Sequence, residues 1–508
     1  MNQNKRLTLE TKDSFADRLK TLLFDNKVMI VFALLCYGAF VVSGSQIETV
    51  LSEVFTRIAR NGFTVLALLI PVFAGMGLNF GIVIGAIAAQ IAVFATVYWR
   101  FTGFGGMMLA VALATPMAIL FGYLVGKLFN KMKGAEMIAG LILGYFADGL
   151  YQLLFLVLIG GVIPATDPRF IIDGGMGVKN AIDLTGSLKY TLDRVQIIDL
   201  ALGLFIIIAV ITAGKLILHL RKKRSFEHKD WIIFAVVAVI YGLTYLPAIE
   251  KHLFADRVNL IVALPLFLAF VALRNLYHLY RNRKTAMPGF SRTRSIFMIV
   301  LAGVVFGLTY VPRLEALIMS VKLPVLPFIL IAGLCAFNNG LLNTRLGQNM
   351  RTVGQSQTVA AASGIDVDRT RVIAMVLSTV LACWGQLIYL QNIGTFSTYG
   401  AHLQIGQFAV AALLVGGASV SKATNKQALI GVTLFHLLFI IAPQAGRELF
   451  GDAMVGEYFR VFVSYGVIAL SLAMHAWQRK IRKEDPEFPD EVPSKPATAL
   501  AHKVKEAD

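Results

Sequence analysis

Apolar runs close to twenty residues long recur along the chain, separated by short stretches that hold most of its charge. A helix crossing a bilayer needs about 20 mostly apolar residues. On that rule the pattern predicts helices near 28–45, 63–76, 81–99, 105–128, 135–160, 197–219, 231–248 and 258–276. Further ones fall near 295–312, 324–343, 371–392, 405–420, 427–443 and 459–477, fourteen segments in all, some of them short. The predicted fold class is all-α: a polytopic integral membrane helical bundle of about 12–14 helical segments, some broken mid-membrane.

Two stretches depart from plain spans. Residues 63–99 form one apolar stretch interrupted around Gly75, Gly77, Asn79 and Gly81, and residues 405–443 repeat the design around Gly416 and Gly417. Glycine weakens a continuous helix and frees backbone groups, which a membrane tolerates only inside protein or against a cavity. Paired interruptions in two halves point to a transport pathway. Close helix packing through small residues is the alternative reading.

Composition fits that picture. Of the 508 residues, 57% are apolar or aromatic and 15% are charged, against about 25% in an ordinary soluble domain. Mean hydropathy is +0.69. No water-soluble fold buries that much apolar surface, which excludes a soluble enzyme, a disordered scaffold and a secreted disulfide protein. The net charge of +17 comes largely from clusters at the ends of apolar runs, such as Arg221 to Arg224, Arg281 to Lys284 and Arg479 to Lys483. Lys and Arg at such positions fix orientation, with the cytoplasmic side the richer. The parity of fourteen segments then places both termini in the cytoplasm, in a multi-pass cell (inner) membrane protein. The same clusters can meet lipid head groups, and nothing suggests nucleic acid. Cys36, Cys335 and Cys383 lie apart within apolar runs, so neither a disulfide nor a metal site is implied.

The chain divides into a cytoplasmic tail (1–27), an N-terminal half (28–219), an extra two-helix unit (220–290), a C-terminal half (291–478) and a disordered tail (479–508). The extra unit follows from an internal repeat. The decapeptide starting at Tyr241 matches that starting at Phe306 at six of ten positions, with an offset of 65. Residues 220–290 thus read as a duplicate of 291–345. Residues 161–196 form the longest external loop, expected to fold as a cap, to contact a partner or simply to connect.

Motifs for covalent chemistry are absent. The stretch from Gly122 to Gly126 and Lys127 is one residue short of a P-loop and reads better as a small-residue helix face. There is no HExxH pair for zinc and no GxSxG elbow. Within the spans, Asp148 is the clearest ionisable group, and an intramembrane carboxylate is a functional candidate by default. It could equally cap a kinked helix. Uncharged polar side chains are more frequent, and Asn79, Gln90, Gln386 and Gln407, with Trp384, suit a neutral hydroxyl-rich solute such as a sugar or nucleoside. Amides also serve as interhelical glue.

The most informative polar stretch runs from Thr344 to Arg371 between two spans. Thr352 to Ser363 can form a short helix, Gly364 suits its left-handed stop, and Asp366 or Asp368 can cap the next span. Its Arg345-Leu346-Gly347, Val353-Gly354, Ala360-Ala361, Gly364-Ile365-Asp366-Val367 and Arg369 resemble the cytoplasmic loop of ABC-importer permeases of the ribose/galactoside/simple-sugar and nucleoside type. That resemblance implies an ATPase-coupling role for these positions and for Arg351 among them. Ala411 to Ser419, with Gly416-Gly417, is similar to that family's small-residue run before a Gly-Gly turn. The resemblance implies that 345–370 is a coupling loop seated in a separate ATPase subunit. It further implies a solute-binding protein outside, a second permease subunit, identical or not, and no catalysis in this chain, with ATP and Mg on the ATPase. An ion-gradient-driven secondary transporter is the alternative that fourteen spans could also support.

Overall fold

The structure is a computed structural model that describes residues 26–172, 176–222, 228–244, 255–284 and 292–469, without 464 and 467. The predicted tails lie outside the described residues, save for positions 26 and 27. The first helices are α1 (Lys27–Ser43), α2 (Ile47–Ala67), α3 (Leu69–Phe73), α4 (Ile82–Tyr98), α5 (Gly103–Lys131) and α6 (Glu136–Leu153). They are followed by α7 (Ile197–Lys222), α8 (His228–Leu243), α9 (Leu260–Lys284), α10 (Arg292–Leu308), α11 (Pro312–Ser320) and α12 (Val325–Leu342). The last are α13 (Arg345–Gln355), α14 (Gln357–Ala362), α15 (Val367–Ile393), α16 (Ala401–Val415) and α17 (Asn425–Phe450), with more helix over 453–463. Among the described residues eight helices are long and apolar enough to cross a membrane, or nine if α10 and α11, bent by 90°, form one broken span. Three shorter apolar helices, Val28–Ser43, Ile82–Tyr98 and Ala401–Val415, accompany them. The chain is a polytopic helical membrane bundle.

One predicted segment needs correction. The helix expected to begin near 63 begins at Ile47 and continues through α3 to Phe73. Glu48, Glu53, Arg57 and Arg60 interrupt the apolar pattern there, but the helix absorbs them. Arg57 Nε pairs with Glu53 one turn earlier at 3.0 Å, and the Arg60 guanidinium lies 5.7 Å from the centre of the Tyr389 ring.

The centre of the bundle is the seam between α5 and α15. Ala110, Ala114, Ala118, Gly122 and Gly126 recur every fourth residue and are all buried, so α5 presents a smooth stripe. A Cβ on Gly122 would come within 2.8 Å of Val376 Cα, and one on Gly126 within 2.9 Å of Val372 Cα. The stretch that resembled a P-loop is thus a packing face. In a bilayer, where lipid is as apolar as leucine, such close approach is a main source of helix association.

The two ends of the bundle differ. At one end, the cap face, the described residues of 161–196 lie against the connection from α15 to α16. Strand β1 (Ala181–Asp183) pairs antiparallel with the connection's strand (Thr395–Ser397). Tyr399 Oη and Thr398 Oγ1 donate to the carbonyls of Val178 and Lys179. Buried Asp193 accepts from Gln391 and Asn392 at 2.8 and 2.5 Å. Outermost, the hydrogen bonds from Arg169 hold the Asp167 carboxyl down at about 2. The other end, the loop face, carries α13 and α14.

The repeated decapeptides have matching local geometry where they are described. Thr244 Oγ1 donates to the Tyr241 carbonyl, as Thr309 Oγ1 does to that of Phe306. Helices α9 and α12 begin 65 residues apart, each after a three-residue strand, and those strands pair antiparallel with each other. Residues 245–254, which hold the rest of the first decapeptide, lie outside the described residues.

Gly126→Leu is expected to lower stability by about 1–3 kcal/mol through overpacking of the α5–α15 seam. Leucine at the outward-facing Tyr123, about one turn earlier, should change it by less than about 0.5 kcal/mol. Thermal unfolding of the purified protein in detergent reads both.

Candidate functional site

The loop face is built around two glycine turns. Gly75 and Gly77, at φ +70° and +72°, end α3 and turn the chain into α4, for which Gly81 is the N-cap. Gly417, at φ +81°, does the same between α16 and α17, while Gly416 is needed for space: its Cβ would stand on the Gln427 carbonyl. Each interruption therefore borders a short apolar helix, α4 after the first and α16 before the second, and α16, with 15 residues, is only about 22 Å long at 1.5 Å per residue.

Helix α13 lies against the first turn and faces the stretch after the second across a cleft. Gly354 meets the first backbone to backbone, since a Cβ on Gly354 would lie 2.5 Å from the Phe73 carbonyl oxygen and one on Gly75 2.6 Å from Gly354 Cα. Arg351 and Gly354, with Phe73 and the 421–425 stretch, line a cleft of about 920 Å³. The predicted helix over 352–363 is in fact two helices. The first starts at Arg345, where Thr344 Oγ1 caps the Gly347 N–H, and stops at Ser356, whose Oγ caps α14 at Val359. Gly347 is immovable, because its Cβ would overlap the Leu341 carbonyl. Ala360 is buried, Ala361 exposed, and Val359 is an exposed valine. Gly364 takes the predicted left-handed turn at φ +78°, with Ile365 behind it. Asp366 Oδ1 caps the Arg369 N–H at the start of α15.

The polar residues proposed for a pathway divide. Gln90 on α4 and Asp148 on α6 are brought together by His402 of α16, which sequence reasoning missed. His402 Nδ1 lies 2.7 Å from Gln90 Oε1, and its Nε2 2.7 Å from Asp148 Oδ1. Gln152 donates to the second Asp148 oxygen at 2.9 Å, and the Tyr151 ring stands edge-on to the imidazole at 4.8 Å. All but Gln152 are buried. The other four do not join them. Trp384 donates to Thr115 on α5, and Gln407 accepts from Tyr465. Asn79 and Gln386 are buried with both amide atoms lacking a protein partner, a costly state that marks polar positions within the bundle. Asn338, bonded to Leu66 and Asn425, is interhelical glue.

A second buried charge pair was not expected. Arg371, fully buried in the first turns of α15, places Nη2 2.6 Å from Glu136 Oε1 at the start of α6. From the sequence Glu136 had no role, and Arg371 was named only as the end of the polar stretch. Among the described residues no cluster of His, Cys, Asp and Glu could hold a metal ion.

The chain thus forms an apolar helical bundle with paired turns beneath a helical loop and polar side chains gathered in its interior. Residues 186–472 match the family described as the permease component of the branched-chain amino acid transport system. The match covers more than half of the chain, which therefore belongs to this family of ABC-importer permeases. It runs from the cap through α17 and includes the stretch read as added, whereas Gln90 and Asp148 fall before it. No curated protein and no solved structure matches the chain.

His402→Ala should strand Gln90 and Asp148 together. A loss of about 2–6 kcal/mol is expected, at roughly 1–3 kcal/mol for each of the two buried groups deprived of its imidazole partner. Gln152→Met should cost less than about 1 kcal/mol, and denaturant unfolding in detergent distinguishes the two.

Proposed function

We propose that this chain is the permease subunit of an ATP-driven importer for a small polar solute, a sugar or nucleoside. Family membership gives the transport role, and with it an ATPase and a binding protein as general partners. The observation that carries the proposal further is the seating of α13 on the first glycine turn. A subunit that pushed on 345–370 would press through Gly354 on the turn that leads into α4. In this reading the coupling surface comprises Arg345, Gly347, Arg351, Gly354, Ala360, Ala361, Gly364, Ile365, Asp366 and Arg369. ATP and Mg stay on the ATPase, and no cofactor belongs to this chain.

The loop face is then cytoplasmic. Helices α7 and α9 both run toward it from the cap face, carrying the clusters at Arg221 and Arg281 to the side where Lys and Arg accumulate. Both termini fall on that side of the cell (inner) membrane, and the binding protein docks on the cap face. A second permease, identical or a sibling, completes the pathway. Residues 220–290 are a duplicate of 291–345, since an offset of 65 carries Val258 onto Leu323, its own partner across β2 (Arg257–Asn259) and β3 (Lys322–Pro324).

The substrate class rests on Gln90, Asp148 and His402, groups that pair well with hydroxyls and ring nitrogens. Asn79, Gln386, Gln407 and Trp384 would extend that polar surface. The family's description favours a second reading, a branched-chain amino acid. Uptake of labelled solute by the assembled transporter, competed with ribose, galactose, nucleosides and leucine, decides between them. Competition by leucine alone would overturn the sugar or nucleoside assignment.

The coupling surface has its own test. Gly354 is a poor position, since any side chain there also disturbs the 73–75 turn. Val359→Arg on exposed α14 leaves the membrane part untouched. It is expected to abolish co-purification of the ATPase at normal yield of the permease; undiminished co-purification would remove 345–370 from the interface.

A further inference from the structure

Helix α6 is held to the bundle differently from its neighbours. Its buried side is made of Ala139, Gly140 and Gly144, with Glu136, Asp148 and Tyr151. Ile138, Ile142 and Leu150 point away, while Met137, Leu141 and Leu143 are half-buried against the core. Small side chains make much of the inner face smooth, and the polar fixed points on it are the two carboxylates. They lie twelve residues apart, or about 18 Å along the helix. Both ends of α6 are breaks. Gly134 precedes it at φ +90°, and a π-helical turn (Leu154–Leu158) and Gly160 at φ +87° follow it.

The fastening nearer the loop face is chemically well matched. The Arg371 guanidinium donates to the Phe129 carbonyl at the end of α5 and to Asn130 Oδ1, as well as to Glu136. Glu136 in turn accepts the Gly134 N–H with Oε2. A cation thus closes the carbonyl end of α5 and an anion the amide end of α6, each the favourable sign for its helix dipole. Asn130 also donates to the Asp368 carbonyl. The pair therefore joins α6 directly to the first turn of α15, where the 345–370 stretch ends. Arg371 Nη1 is buried without a protein partner, so the guanidinium retains a donor for a different arrangement.

We infer that Glu136 and Arg371 are positioning residues for transport: they convey displacement of the 345–370 loop to α6, and through that rod to Asp148 and His402. Neither need touch solute. The inference rests on the reading of 345–370 as the ATPase-facing loop, and the experiment separates the two. Co-purification with the ATPase tests the loop, while behaviour of complexes that assemble tests the pair.

In the full transporter complex, reconstituted with its ATPase and binding protein, Glu136→Gln is expected to leave assembly and basal ATP hydrolysis unchanged. Solute-stimulated hydrolysis and uptake should fall by about tenfold or more, within the usual range of coupling between sites. Spin labels at exposed Ile138 on α6 and exposed Ile329 on α12 should change separation between nucleotide-free and ATP-bound states in the parent, and not in the variant. If Glu136→Gln fails to fold, Glu136→Gln combined with Arg371→Met removes both charges, a replacement that buried pairs often tolerate. That double variant should fold and stay uncoupled. An assembled variant that keeps its stimulation ratio, a label separation that is static in the parent, or recovery of coupling in the double variant would each overturn the inference.

Discussion

The contact on which the loop face depends is one of bare backbone. Gly354 of α13 meets the 73–75 turn with no side chain between them, and neither position has room for a Cβ. A side-chain contact can yield by changing rotamer, whereas a backbone contact can move only with the element that carries it. Displacement of α13 must therefore displace the turn into α4, or the contact must open. Gly347 stiffens the other end of α13, packed against the end of α12. A polar helix at the surface is in this way made continuous with the apolar interior.

Seen from that contact, the glycines serve two purposes. Gly75, Gly77 and Gly417 have backbone angles that other residues adopt only with strain. Gly122, Gly126, Gly354 and Gly416 have ordinary angles and are required because another backbone occupies the place of their Cβ. The first kind shows in a local pattern, as the predicted breaks at 75–81 and 416–417 illustrate, and the evenly spaced small residues at Gly122 and Gly126 show as a helix face. The second depends on a partner far away in the chain, and Gly354 gave no sign in the sequence of meeting Phe73.

The same distinction explains what was legible of the site. Apolar length is a local property, so the spans and the all-helical class could be read directly. Helix α2 escaped because Glu53, Arg57 and Arg60 interrupt its apolar run, and their partners, one turn away or on α15, make those charges tolerable. Asp148 and Gln90 each stood out as polar residues in apolar surroundings. His402 did not, because it lies at the start of a short helix with no chemistry beside it. Its relation to Asp148 and Gln90 spans 254 and 312 residues. Polar residues on three mainly apolar helices were the available signal; the meeting of these three was a property of the fold.

The two buried acids also differ in a way that follows from position. Glu136 sits at a helix start beside Arg371, a permanent cation, and both charges gain from the helix ends they close. Asp148 lies mid-helix and faces a histidine, whose charge depends on its surroundings and whose ring nitrogens have distinct partners. Opposite charges seated between two helix ends suit a mechanical joint, because the arginine keeps its charge throughout. A buried carboxylate bonded to imidazole and amide is costly to leave without partners, so Asp148 can part from His402 only as another polar group takes its place. Helix α6 carries one of each, the arginine pair toward the loop face and the histidine pair farther in, so a shift of the helix is felt at both.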